Sequence, residues 1–200
     1  AIGRVMQTLE EKGVSRNTLV FLLNDNGALA SRVEEGVNSQ GPFRGGKNGF
    51  SEGGLRTPFV VRWPERLPAG KKFLHPVWSL DIVPTCVAVA GHTLPKDRPF
   101  DGVDLMPYLR SEKSGVPHEI LYWRVGKPLR IGDWKFAGHF YHLRDDPGEA
   151  NLLHGRKYHA MEYQARRISE YIRQQIEVDG PVSFAEFDLS LYFLGTEEER

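Results

Sequence analysis

A continuous apolar run, Thr18 to Leu23, followed by the polar turn Asn24-Asp25-Asn26-Gly27, constrains this chain more than any other stretch. Apolar and β-branched residues without polar alternation predict a strand buried on both faces, as in a parallel sheet. In open α/β sheets, ligands gather just beyond the carboxyl ends of such strands. The sequence therefore predicts an α/β fold with a ligand site directly after Leu23.

Two residues at this point have the chemistry of metal ligands. Asp25 supplies a carboxylate and Asn26 an amide oxygen, and oxygen ligands of this kind suit a hard cation such as Ca²⁺ or Mg²⁺. The same four residues also form a good turn without any metal. Residues 28–57 are rich in glycine and lack periodicity, and a loop of this length in a compact domain is usually either functional or disordered. Lys47 places a mobile positive charge in that loop, although a lone lysine among glycines is more often a solvated surface residue.

Composition narrows the functional classes. Two hundred residues allow one substantial domain, or a domain with a small appendage. The 26 basic and 26 acidic residues cancel, so a general attraction to nucleic acid is not expected. No apolar stretch is long enough to span a bilayer, and the seven histidines form no zinc motif. The one cysteine, Cys86, excludes an internal disulfide.

Periodicity predicts the remaining elements. A first helix begins the chain and ends near Gly13. A second, largely buried helix is predicted from Asp81 to Gly91, and Cys86 on this helix is read as a residue of the protein core. Short segments from Glu119 to Leu143 predict an antiparallel meander. One apolar face then predicts a long helix packed on the meander, with Met161, Ala165, Ile168, Ile172 and Ile176 on that face. The aromatic tail 182–194 is too apolar for a free linker and is expected to dock.

Several polar residues have a structural interpretation beside the functional one. Glu52 precedes two glycines and is read as a carboxylate that caps nearby amides in a tight bend. For Arg56 neither interpretation is favoured. His139 and His142 could touch a substrate, but half-buried histidines bonded to backbone are the better interpretation.

The order and spacing of the motifs resemble the sulfatase family. In that family a strand ends in Ser-Asp-Asn-Gly, and a later segment reads Gly-x-Lys-Gly-x-x-x-Glu-Gly-Gly-x-Arg-x-Pro. Here the corresponding stretches are Asn24 to Gly27 and Gly45 to Pro58. The resemblance continues in order to about Leu153, through these stretches: Val61 to Pro64, Ser79 to Thr85, Asp101 to Leu105, Arg130 to Lys135 and Leu143 to Leu152.

This resemblance implies a sulfuric ester hydrolase with one divalent metal, usually Ca²⁺, and a formylglycine nucleophile. By motif match, Asp25 and Asn26 are metal ligands and Lys47 is a sulfate-contacting cation. The family's Cys/Ser-x-Pro-x-Arg nucleophile motif does not occur in this chain, since Cys86 lacks those neighbours. We therefore expect the carboxyl-terminal part of an alkaline-phosphatase-like mixed sheet with flanking helices, plus a small antiparallel subdomain with a long packed helix.

Residues 1–115 would belong to the catalytic α/β domain and residues 116–200 to the small subdomain. The amino-terminal half of the same fold would be the partner, and the 200 residues alone should be inactive. The substrate would be a sulfated small molecule or carbohydrate, and the family's compartments are periplasmic, secreted or lysosomal. Two alternatives stay open: a related phosphate or phosphonate ester hydrolase, and a non-catalytic sulfatase-like binding scaffold.

Overall fold

A computed structural model describes residues 1–36, 38–97, 99–123, 128–155, 158–177, 184 and 187. Its helices and strands are, in chain order, α1 (Ile2–Glu11), β1 (Val20–Leu23), α2 (Ala30–Glu34), α3 (Glu52–Leu55), β2 (Phe59–Arg62), α4 (Ile82–Val89), α5 (Met106–Leu109), β3 (Ile120–Tyr122), β4 (Leu129–Ile131), β5 (Trp134–Phe136), β6 (Phe140–His142) and α6 (His159–Glu177). None of the helices among these residues is both long and apolar enough to cross a membrane.

The chain forms two compact units. Unit 1 comprises Ala1–Asn24, Pro58–Lys96 and Phe100–Pro117, and unit 2 comprises Asp25–Thr57, Asp97–Pro99 and His118–Arg200. The glycine-rich loop thus groups with the carboxyl-terminal meander rather than with the strand that precedes it. The predicted division of the chain into domains at residue 115 stays a prediction.

In unit 1, the prediction that β1 belongs to a parallel sheet is wrong for the pairing within the described residues. Within the described residues β1 pairs with β2 in an antiparallel ladder, from Val20 opposite Arg62 to Leu23 opposite Phe59. Nor is β1 buried on both faces, because Leu22 is 40% exposed. A continuous apolar run indicates that a strand meets apolar neighbours, but it carries no information on the direction of its partner.

The start of unit 1 follows the prediction. Helix α1 covers the apolar residues at helical spacing and is followed by Gly13, whose φ of +67° is readily adopted by glycine. The guanidinium of Arg62 then ties the segment after α1 to β2. It donates to the carbonyl oxygen of Ser15 at 3.0 Å and to its Oγ at 2.9 Å.

Asp81 lies at the start of α4, as predicted, but its carboxylate does not cap that helix. It accepts hydrogen bonds from the amides of Trp78 at 3.1 Å and Val103 at 2.9 Å. Thr85, one turn further, accepts from the amide of Leu105 at 3.0 Å. Because Asp81 and Thr85 are both fully buried, these bonds fasten the 101–105 segment to α4.

The predicted burial of α4 is wrong. Only Pro84 and Thr85 of this helix are buried, while Val83 is 53% exposed and Cys86 is an exposed free thiol rather than a core residue. The helix is apolar on nearly all sides, so the pattern gives no single inward face. Which side is covered depends on neighbours that hydropathy alone does not specify.

Unit 2 confirms the meander and the long helix. Strands β3, β4, β5 and β6 pair antiparallel in sequence order. One face of this sheet packs against α6 in a common core made of Ile120, Leu129, Ile131, Phe136, Phe140, Met161, Ala165, Ile168 and Ile172. Ile176, also predicted on that face of the helix, is 44% exposed.

The tail is described at Phe184 and Phe187 alone, and both support the predicted docking. Phe184 lies edge-on to Tyr122 at a centroid distance of 6.2 Å, and Phe187 to Tyr171 at 5.4 Å. The rest of the 182–194 segment lies outside the described residues.

Substituting Gly102 with alanine should destabilise the protein. A Cβ at this position would lie 2.0 Å from the carbonyl oxygen of Leu80, so the 101–105 segment would have to leave α4. We expect a loss of about 1 to 3 kcal/mol, measured by chemical denaturation. Gly3→Ala in α1 is the matched control, because its Cβ meets nothing within 4 Å and alanine favours helices. Equal stability of Gly102→Ala and wild type would contradict this packing.

Candidate functional site

Three backbone segments of the glycine-rich loop touch directly. The amide of Gly27 donates to the carbonyl oxygen of Gly54 at 3.0 Å, and the amide of Lys47 donates to that of Ala28 at 2.8 Å. A Cβ would lie 1.7 Å from a carbonyl oxygen at Gly27, 2.3 Å at Gly46, and 2.5 Å at both Gly53 and Gly54. Only glycine permits such an approach, and we call these four residues the glycine junction.

The predicted metal ligands lie immediately before the glycine junction. Asp25 is exposed and Asn26 half-buried, and the Asn26 amide nitrogen donates to Asp25 Oδ1 at 3.1 Å and to the Gly27 carbonyl at 3.3 Å. This pairing leaves Asn26 Oδ1 without a hydrogen bond to any described residue. The donor set, a carboxylate and an amide oxygen, fits two ligands of a hard divalent cation.

The described side chains do not form a metal site with three or more acidic, histidine or cysteine ligands. Among the residues that the structure describes, no group of three or more histidine, cysteine, aspartate or glutamate side chains could hold a metal ion. Asp25 and Asn26 alone supply too few oxygens for Ca²⁺, which takes about six to eight. Any metal held here therefore needs further ligands besides Asp25 and Asn26.

Lys47 directly follows Gly46 of the glycine junction. Its main chain is fixed by the bond to Ala28, and a turn follows in which the Gly49 amide bonds the Gly46 carbonyl at 2.9 Å. Its side chain is exposed and bonds no other described residue. The loop thus holds the backbone of Lys47 near the Asp25-Asn26 segment while its ammonium stays available to an anion.

A group of buried charged side chains lies in the same unit. We call Glu52, Arg130, Lys135 and Glu149 the buried ion cluster. Lys135 is 0% exposed, and its ammonium lies 2.8 Å from Glu52 Oε1 and 2.8 Å from Glu149 Oε1. The Arg130 guanidinium lies 3.7 Å from Glu52 Oε2. Burial lowers the pKa of Arg130, and the neighbouring Glu52 carboxylate acts in the opposite direction.

The interpretation of Glu52 as a cap for nearby amides is wrong. Glu52 does begin the tight bend α3, but its carboxylate faces Lys135 and Arg130. Sequence reasoning gave Lys135 and Glu149 no role. Alternation in Trp134-Lys135-Phe136 places the lysine on the face away from the core, which normally means solvent, and Glu149 lies in what reads as a plain turn. Their ion-pair partners lie far away in the chain, so the sequence around each residue does not indicate that it is buried.

The other residues weighed from the sequence have structural contacts. The Arg56 guanidinium lies 4.7 Å from the centroid of the Phe43 ring. His142 is half-buried, as expected, but its Nδ1 pairs with Asp145 Oδ2 at 2.6 Å instead of with backbone. His139 is exposed, contrary to that interpretation.

A turn ending at Asn151 carries Glu149 into the ion cluster. The carboxylate of Asp146 accepts hydrogen bonds from the amides of Asn151 at 2.8 Å and Ala150 at 3.0 Å. These two bonds hold the pKa of Asp146 below its usual range. Glu149 itself adopts a left-handed conformation, with φ of +54°, which is unfavourable for a residue with a side chain. Asp146 thus stabilises a turn that does not form readily by itself.

Comparison with known proteins agrees with the motifs. A family model described as Sulfatase matches residues 1–92. Steryl-sulfatase of Mus musculus is 42% identical over 137 residues, a match that covers 66% of this chain and 22% of that protein. N-acetylgalactosamine-6-sulfatase of Canis lupus familiaris is 33% identical over 142 residues, covering 70% of this chain and 27% of that protein. The chain thus spans about a quarter of the length of these relatives.

Solved structures agree with the fold. The crystal structure of Ps i-CgsB matches with a TM-score of 0.69 at 25% identity and covers 99% of this chain and 43% of that one. The PsFucS1 sulfatase from Pseudoalteromonas sp. matches with a TM-score of 0.72 at 22% identity, covering 90% and 41%. The fold is that of the alkaline-phosphatase-like hydrolases, as predicted. The chain belongs to the sulfatase family.

Removing the Asp146 carboxylate should destabilise the protein at neutral pH but not in acid. Asp146→Ala loses two hydrogen bonds to amides, and we expect a loss of about 1 kcal/mol, as for a helix N-cap. Because the folded pKa is lowered, this stabilisation is fully present above the ordinary aspartate pKa of 3.8 and is lost as the pH falls through the folded value.

The measurement is the unfolding free energy of Asp146→Ala and wild type between pH 7 and pH 2. Asp145→Ala is the matched control, since its carboxylate is 76% exposed and pairs with His142. A difference between Asp146→Ala and wild type that persists unchanged at the acid end would contradict the assigned role.

Proposed function

We propose that the complete protein hydrolyses sulfate monoesters and that this chain supplies two metal ligands and one sulfate-binding cation. The observation that supports this most directly is the hydrogen bond from the Lys47 amide to the Ala28 carbonyl. It lies beside the glycine junction and joins the turn that carries Lys47 to the segment of Asp25 and Asn26. Family membership and this geometry point to the same three residues.

Asp25 and Asn26 would hold a hard divalent cation, Ca²⁺ or Mg²⁺, with further ligands from the rest of the protein. Such a cation, when bound, stabilises negative charge on sulfate oxygens. Asp25 contributes the formal charge of the pair. Asn26 contributes a neutral oxygen, and its NH₂ group orients the Asp25 carboxylate through the 3.1 Å bond.

Lys47 would act on the sulfate itself. A sulfate monoester carries negative charge on its peripheral oxygens, and more develops on the bridging oxygen as the S–O bond breaks. An ammonium on a flexible stem can meet either site, and exclusion of water strengthens the attraction. Overall, the S–O bond is cleaved, water supplies a hydroxyl to sulfur, and the alcohol leaves with a proton. The attacking group, a formylglycine by family resemblance, would lie elsewhere in the protein.

A sulfated small molecule or a sulfated carbohydrate is the proposed substrate class. Relatives are named for steryl, aryl and N-acetylgalactosamine-6-sulfates, and Ps i-CgsB has been solved with k-i-k-neocarrahexaose. By the same resemblance, we propose that the complete protein works in a periplasmic, secreted or lysosomal compartment.

The proposal also accounts for the apolar surface of unit 1. Large apolar side chains are exposed in this unit, namely Ile2, Val5, Leu22, Val60, Leu80 and Val83. Exposed apolar side chains that lie together can mark an interaction site. We propose that the remainder of the sulfatase fold covers it in the complete protein.

Lys47→Ala in the complete, metal-loaded protein should lower kcat and kcat/KM together, because an interaction with developing charge is lost. By analogy with the loss of one oxyanion donor, we expect a fall of about a hundredfold. Lys47→Arg should not restore full activity, since a planar guanidinium does not replace a compact ammonium in a tight turn. Steady-state kinetics with an aryl sulfate measure this.

Lys72→Ala is the matched control, because it removes another exposed lysine from a different loop. Near-wild-type kinetics of Lys47→Ala would remove Lys47 from the site. A complete protein that cleaves an aryl phosphate but no aryl sulfate would instead support a phosphate ester hydrolase, and one that cleaves neither would support a binding scaffold.

Asp25→Ala in the complete protein should weaken Ca²⁺ or Mg²⁺ binding by about tenfold or more, because a charged ligand is lost. Isothermal titration calorimetry of the purified protein measures the affinity directly. Asp97→Ala, which removes an exposed carboxylate from another loop, is the matched control. Unchanged metal affinity in Asp25→Ala would show that the metal ligands are wrongly assigned. The expected size follows the effects seen when parts of a metal site are removed.

A further inference from the structure

The buried ion cluster binds both the side chain and the main chain of Glu52. The Glu52 carboxylate meets the Lys135 ammonium at 2.8 Å, and the Glu52 amide donates to Glu149 Oε2 at 2.7 Å. The other oxygen of Glu149 returns to the same ammonium at 2.8 Å. These contacts form a closed ring, so neither Glu52 group can move without breaking a bond inside a low-dielectric region.

The cluster is electrically balanced. Lys135 and Arg130 carry two positive charges, and Glu52 and Glu149 carry two negative ones. Replacing a single member leaves an uncompensated charge among buried groups, which is strongly unfavourable. The net stability gained from a buried ion pair is small, whereas removal of one partner is strongly destabilising.

Glu52 connects this ring to the candidate site within two residues. Gly53 donates from its amide to the Arg44 carbonyl at 2.9 Å, and the Gly54 carbonyl accepts from Gly27 at 3.0 Å. Gly27 is the neighbour of Asn26. The Gly46 carbonyl lies 2.5 Å from where a Gly54 Cβ would be, and Gly46 is the neighbour of Lys47.

We propose that Lys135 is a positioning residue for the sulfate site: through Glu52 and the glycine junction it fixes the backbone that carries Asn26 and Lys47. This inference rests on the proposed function for its catalytic part. Lys135 itself touches neither substrate nor metal. Its contribution is to hold the loop that presents those groups on the sheet face opposite α6.

The two faces of the sheet allow effects on stability to be separated from effects on the position of the loop. Residues facing α6, such as Ile131 and Phe136, build the apolar core. By strand register Leu121, Arg130, Lys135 and Tyr141 occupy the other face. Arg44 of the loop also contacts that face, donating to the Tyr141 hydroxyl at 3.2 Å. A variant in either layer can destabilise the protein, but only a variant of the loop-facing layer should disturb the loop.

The test uses Lys135→Met in the complete, metal-loaded protein, with two readouts. The first is hydrogen–deuterium exchange of peptides that cover residues 25–28 and 44–55, which reports on the loop without requiring activity. The second is kcat per folded molecule with an aryl sulfate. We expect faster exchange in both peptides and a fall in kcat of about tenfold to a hundredfold, as for a small misplacement of catalytic groups.

Ile168→Ala is the matched control, because Ile168 is 1% exposed in the core on the opposite face. It should lower the unfolding midpoint and speed exchange in α6, with loop exchange and kcat per folded molecule unchanged. If Lys135→Met does not fold, Lys135→Met combined with Glu52→Gln restores charge balance, since Arg130 and Glu149 remain. The double variant should fold and still show the loosened loop.

Three results would overturn the inference: loop exchange in the folded variant equal to wild type, loosened exchange with unchanged kcat per folded molecule, or an equal effect of Ile168→Ala on the loop. Failure of the proposed function is distinguishable, because a wild-type protein that cleaves no sulfate ester would end the sulfatase proposal. Loop exchange in Lys135→Met would then still decide whether Lys135 positions the loop.

Discussion

Pairing of the Lys135 ammonium with two buried carboxylates is the constraint on which unit 2 depends. A lysine with no exposed surface must find opposite charge at hydrogen-bond distance, and here Glu52 and Glu149 each supply it at 2.8 Å. The three residues come from the glycine-rich loop, a central strand and the turn after β6. Their pairing joins segments that are 83 residues apart in the chain, between Glu52 and Lys135. No apolar contact would define the register of these segments as narrowly, since ion pairs have directional partners and apolar packing does not.

The two faces of the small sheet therefore make different kinds of contact, one apolar and one polar. Toward α6 it presents apolar side chains that lose their water, with a stabilisation of about 25 cal/mol per Å² of apolar surface buried. Toward the loop it presents Arg130, Lys135 and Tyr141, which bond to specific groups of the glycine-rich segment. The apolar face determines whether the unit folds. The polar face determines where the loop lies on it, and so where Lys47 and the segment after β1 are held.

Sequence patterns predicted the parts of the structure that local physics determines. The period of α6 and the alternation of the meander strands follow from which residues face one common core, and both elements are present with nearly the predicted bounds. The direction of β1 and the exposure of Cys86 were mispredicted, because both depend on neighbours that an apolar run does not name. Of the candidate site, the motif match gave Asp25, Asn26 and Lys47, and their roles remain predictions. Lys135 and Glu149 could not be found, since their pairing is visible only once distant segments meet.

This arrangement explains the residue type at each position of Glu52-Gly53-Gly54. The first position requires a long carboxylate to reach the Lys135 ammonium, and its amide must face Glu149. The next two positions require the absence of any side chain, because a Cβ there would lie 2.5 Å from the carbonyl oxygens of Arg44 and Gly46. Glu52 is bound to Lys135, and the next two residues, Gly53 and Gly54, are each bonded to the loop backbone. No residue without such a contact therefore lies between the buried charge and the loop. On the proposed role of Lys135, the candidate site is held through this short covalent distance, without a long helix or a disulfide beneath the loop.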